Sequence, residues 1–153
     1  MDVTENITLS GKITTGNNIA DGIRAVSIGG LTNQALNNDS FTMGGSLNIA
    51  SNDRAFVIGG SNNIASGQDS EIFGGTNSVA NATFTTTIGG TNLSATNTQA
   101  IAVGGSLNCA AGIRSAVIGG QCNIVTHNNS VVIGGIGVAV SYTHLTLPTI
   151  LLV

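Results

Sequence analysis

The stretch FVIGGSNNIASGQDSEIFGG, Phe56–Gly75, holds two Gly-Gly pairs fifteen residues apart, each preceded by a bulky apolar residue, Ile58 or Phe73. The spacing extends in both directions. Gly-Gly recurs at Gly29-Gly30, Gly44-Gly45, Gly59-Gly60, Gly74-Gly75, Gly89-Gly90, Gly104-Gly105, Gly119-Gly120 and Gly134-Gly135, always at an interval of fifteen. Eight coils therefore fill residues 16–135 without insertion or deletion. A repeat this short cannot hold a helical hairpin. It suits two short strands and two turns, one coil of a parallel β-solenoid.

Other columns keep the register when Gly-Gly is numbered 14 and 15. Position 5 is Ala in seven coils and Val125 in the last. Position 3 is Asn at Asn18, Asn33, Asn48, Asn63, Asn108 and Asn123. Position 10 is always Ala, Ser or Thr, and position 13 is always apolar. A flexible Gly/Ser/Asn linker would keep none of these columns.

The reading places one strand over positions 10–13 and the other over positions 3–6. Gly and Asn tolerate positive φ, so Gly-Gly and position 7 are the expected turns. Side chains alternate along a strand. With apolar position 13 taken as inward, position 11 joins it and position 12 faces out. On the other strand Ala at 5 and Asn at 3 face in, and successive Asn side chains form an amide ladder along the axis. A charge at Ile88 is then expected to unfold the array. Position 4, with Ile19, Ile49, Ile64, Val79 and Ile124, faces out as an apolar stripe. Such stripes are a liability on a monomer. Burial between subunits removes it, most simply in a three-fold bundle of parallel solenoids, with a charge at Ile64 expected to block assembly. Position 9 runs Arg24, Asp39, Arg54, Asp69, so stacked coils put opposite charges side by side.

These columns resemble the head repeats of trimeric autotransporter adhesins, the YadA-like parallel β-roll, whose pattern is close to S-V-A-I-G-x-x-A-x-A-x-G. SAVIGGQCNIV (Ser115–Val125) and SNNIASGQDS (Ser61–Ser70) carry the match. The coil here is one residue longer, has a second Gly, and has Asn where that family often has Ala. Gly-Gly-x-x-Asn repeats are also similar to those of phage tail fibres. The resemblance covers residues 16–135 and implies an all-β, left-handed, homotrimeric β-roll. It implies a segment of a surface adhesin or phage fibre that attaches to a cell surface, located at the cell surface or on a virion. Receptor binder and spacer both remain open, and the ligand is not specified.

Composition narrows the alternatives. Only 7% of residues are charged, with four basic residues against seven acids and a net charge of −3. No basic patch exists for nucleic acid, and no stretch is long and apolar enough to span a membrane. The opening MDVTENITLSGKITT lacks a signal-peptide pattern. A complete autotransporter is expected to carry a secretion signal and an anchor; a phage fibre needs neither. Cys109 and Cys122 have no metal-binding spacing and read as small apolar fillers. His127 and His144 have no repeating acid beside them, so no catalytic, cofactor or metal site is expected. An ice-binding solenoid is the alternative function, but that function favours matched Thr columns and Thr is scattered here. Residues 1–15 are assigned as a flanking strand or cap. Residues 136–153 are assigned as a non-repeat tail. Its end, SYTHLTLPTILLV, resembles translated sequencing adapter; the other reading is an apolar strand that caps the solenoid.

Overall fold

The computed structural model describes residues 13–141, and the Ser141–Val153 tail apart from its first residue lies outside them, as does most of the N-terminal segment. The chain winds into an all-β solenoid. Among the described residues one sheet, here sheet A, has nine parallel strands: Ile13–Thr14, Val26–Ile28, Phe41–Met43, Phe56–Ile58, Glu71–Phe73, Thr86–Ile88, Ile101–Val103, Ala116–Ile118 and Val131–Ile133. Sheet B has nine more: Ile19–Ala20, Gln34–Ala35, Ile49–Ala50, Ile64–Ala65, Val79–Ala80, Ser94–Ala95, Cys109–Ala110, Ile124–Val125 and Ala139–Val140. Apart from Ile13–Thr14, each strand pairs with its counterpart fifteen residues away, as Phe56 with Glu71 and Ile64 with Val79. At the ordinary inter-strand spacing eight coils make a rod roughly 38 Å long.

The coil register runs past the last Gly-Gly pair. Ile136 bridges Gln121, and Ala139–Val140 pairs with Ile124–Val125. At the other end Ile13–Thr14 pairs with Val26–Ser27.

The interior is thin. It is filled by positions 3, 5, 10 and 12: Asn33, Ala35, Ser40 and Thr42 in one coil, Asn63, Ala65, Ser70 and Ile72 in another, all buried. This corrects the expected facing of the first strand. Position 12 points in, with Val57, Ile72 and Val117 fully buried, while position 13 points out, with Ile88 42% exposed. The physical reason is the narrow gap between sheets A and B. With Ala on one wall, only a small residue fits at position 10 of the other, and strict smallness there marks the inward column more reliably than apolarity at 13. Alternation then carries 12 inward and 11 and 13 outward. Ile88 is therefore a surface residue.

The turns also differ from expectation in part. All sixteen glycines of the pairs have positive φ, between 58° and 90°. Position 7 does not: Gly22, Gly67 and Gly112 are absent from the left-handed region and are small for space. A Cβ at Gly67 would sit 2.0 Å from the Ala82 carbonyl oxygen. The left-handed turns fall instead at positions 9 and 2, on residues such as Arg54, Phe84, Thr32 and Leu47, with φ near 55°. Each costs about 1–2 kcal/mol of backbone energy. From Asp39 onward their N–H groups are engaged by the preceding coil, as Arg54 N–H donating to the Asn38 carbonyl at 2.9 Å.

Candidate functional site

With positions 11 and 13 pointing outward, sheet A presents a face two columns wide. Position 13 runs Ile28, Met43, Ile58, Phe73, Ile88, Val103, Ile118, Ile133; position 11 runs Val26, Phe41, Phe56, Glu71, Thr86, Ile101, Ala116, Val131. Fourteen of these sixteen residues are apolar, so the face is a continuous apolar strip. Within it Phe41 and Phe56 stack at 5.0 Å between ring centroids, and Phe73 lies 5.6 Å from Phe56. Glu71 is the one charged residue on the face and is exposed.

The outward column of sheet B is narrower. Ile19, Ile49, Ile64, Val79 and Ile124 do point out, Ile19 and Ile124 exposed and the others half-buried. Gln34, Ser94 and Cys109 interrupt them. Between the two candidate interfaces, the sheet A face offers the larger uninterrupted apolar area.

The Asn column is buried, and its bonds run from side chain to backbone rather than from amide to amide. Asn48 Nδ2 donates to the carbonyls of Gly59 at 3.1 Å and Gly60 at 3.2 Å, while its Oδ1 accepts the N–H of Asn63 at 3.1 Å. Each such Asn ties a Gly-Gly turn to the next coil. The column breaks at Ser78 and Leu93, where Leu93 fills the space with a buried apolar side chain. The Gly-Gly turn is thus legible as two different requirements. Around Gly59 there is open space, whereas a Cβ on Gly60 would lie 2.3 Å from the Gly75 oxygen and 2.5 Å from Asn63 Nδ2.

Along position 9 the charge ladder forms. Arg24 is bidentate to Asp39 at 2.5 and 2.6 Å, and Arg54 to Asp69 at 2.5 and 2.9 Å. The hydrogen bond from each guanidinium, with its charge, holds Asp39 and Asp69 below the usual carboxylate range. Arg114 Nε donates to Asn129 Oδ1 at 2.7 Å in place of an ion pair.

Cys109 is half-buried on the outer side of sheet B, where burial pushes its thiol up against hydrogen bonds from Ser94 and Thr96; Cys122 is exposed. Neither fills the interior. His127 is half-buried at its turn, and His144 lies outside the described residues. Among the described residues no group of three His, Cys, Asp or Glu side chains is placed to hold a metal, and no helix is long and apolar enough to cross a membrane. What the surface offers chemically is contact area. The sequence reading missed the sheet A face because it placed those residues inside. The invariantly small position 10 was the signal that would have found it.

No family model, curated protein or solved structure matches the chain.

Proposed function

We propose that this chain is a structural or adhesive fibre segment, a homotrimer of parallel β-solenoids that attaches to a cell surface or carries a binding tip away from its base. The observation that supports this is the two-column apolar face of sheet A. A partner that covers such a strip along its length must repeat at the coil spacing, and a second copy of the chain in parallel does so at every coil. The face has no base and one acid, which fits neither nucleic acid nor an anionic lipid surface. Three copies around one axis cover all three strips with none left at an edge. The same reading places the protein at a cell surface or on a virion, with left-handed winding and no catalysis.

Light scattering after size exclusion tests the assembly. The expected mass is three times 15.2 kDa. A chain that stays monomeric at every pH from about 5 to about 8 removes the basis of the fibre reading, and ice recrystallisation would then be the assay for the alternative. The sheet A face does not favour that alternative, since Thr86 is the one Thr on it. Attachment is tested with trimer-coated beads on cell monolayers; beads that bind no better than uncoated ones leave the spacer role.

A further inference from the structure

We infer that Glu71 is a proton-binding site within the subunit interface, so that assembly takes up protons and tightens as pH falls. The inference rests on the reading that second and third copies cover the sheet A face. Glu71 stands in the middle of that face, in register with Phe56 on one side and Thr86 on the other. The flanking strands Phe56–Ile58 and Thr86–Ile88 carry no titratable group, nor do Ile64–Ala65 and Val79–Ala80 behind it. In the turn that precedes it, Asp69 is already committed to Arg54.

A second copy brings no help. Its own face presents no Lys, Arg or His at positions 11 or 13, so the carboxylate meets no cation there. A parallel three-fold arrangement places the three Glu71 side chains at one axial height, where like charges oppose one another's ionisation. Covering an unpaired carboxylate with apolar side chains is costly, and protonation is the route by which such a group enters an interior. The step is simple: each Glu71 carboxylate takes one proton from solvent, on one of its two oxygens, as the face closes, and returns it when the chains part.

The sign follows from linkage. The assembled state binds more protons than the separated chains, so lowering the pH favours assembly, and the gain appears above the ordinary carboxylate range. With three protons taken up per trimer, the association constant rises by up to about 1,000-fold per pH unit in that window. The Arg24–Asp39 and Arg54–Asp69 pairs are made within each single chain, so they are present before and after assembly. His127 remains in every variant compared, so its contribution is common to all.

The test is sedimentation of the full chain from about pH 5 to about pH 8, beside E71Q and I88D. The expected result is trimer that dissociates as pH rises in the wild type, and E71Q that stays trimeric across the range. If I88D is monomeric throughout but wild type and E71Q are equally pH-independent, the interface stands and the proton site is overturned. Neutral-pH assembly that needs calcium and is lost with chelator also overturns it, in favour of a bound cation. If I88D forms the same trimer as wild type, the face is not the interface and both readings fall.

Discussion

The side-chain oxygen of Asn48 accepts the backbone N–H of Asn63, fifteen residues further along the chain, at 3.1 Å. The same amide donates to the carbonyls of Gly59 and Gly60. Asn48→Ala would leave these buried groups without partners, at about 1–3 kcal/mol for an unmade bond. A loss of about 3 kcal/mol is expected in urea unfolding. Leu93 occupies the equivalent site, so Asn48→Leu should cost less than Ala by refilling the space. Equal losses would show that volume is not what Leu93 supplies.

The two glycines of one turn should respond differently. Gly59→Ala meets open space and carries only the left-handed backbone penalty, about 1–2 kcal/mol. Gly60→Ala would drive a methyl group into the Gly75 carbonyl and the Asn63 amide. It should cost several times more. Comparable thermal midpoints for the two variants would contradict the packing described.

Thr87 is buried at position 12 between Ile72 and Ala102, and its hydroxyl has no hydrogen-bond partner. Ser27 and Thr42, in the same column, bond to each other at 2.6 Å. Thr87→Val keeps the shape and removes the orphan, so it should stabilise by about 1 kcal/mol. Thr42→Val should destabilise, because it leaves the buried Ser27 hydroxyl only a long bond to the Asn33 carbonyl at 3.4 Å. Denaturant midpoints of the two variants check the opposite signs.

Inside and outside can be separated by charge. Ile72→Asp buries an uncompensated charge and should cost about 3–5 kcal/mol. Ile88→Asp places the same group on the outer face, so single chains should keep their β-sheet circular dichroism while assembly is lost. If Ile88→Asp unfolds the chain and Ile72→Asp does not, the facing is reversed.

The Asp39 and Asp69 carboxyls should titrate below the ordinary range in carboxyl-carbon NMR, since their arginine partners favour the ionised form. Whatever they contribute is present above the unfolded carboxylate range and is lost as pH falls through the lowered one. Because both pairs are solvent-exposed, high salt should bring the two titrations toward ordinary values.

The sequence discloses the fold through spacing. The unbroken fifteen-residue interval, Ala at position 5 and the alternating Arg24, Asp39, Arg54, Asp69 column are enough for a stacked parallel solenoid, and the structure has its strands in that register. The candidate interface was harder to read. Apolarity at Ile28, Ile58 and Ile88 looks like a core signature, because in most domains apolar columns are interior. A solenoid this thin has an interior that admits Ala, Ser, Asn and an occasional Val or Ile, so its larger apolar residues lie outside. The left-handed turns at Arg54, Phe84 and Leu47 were illegible for another reason. Those residue types have no preference for positive φ, and inter-coil hydrogen bonds impose the conformation on them.

Every coil of residues 16–135 has the same length, and the strand pairing between coils keeps one register. A duplication or deletion of fifteen codons, in register, therefore changes reach without changing architecture. Each such event lengthens or shortens the rod by about 4.8 Å, while an event of any other size disrupts the local stacking. Selection can thus adjust the length of the rod in uniform increments, as on a ruler.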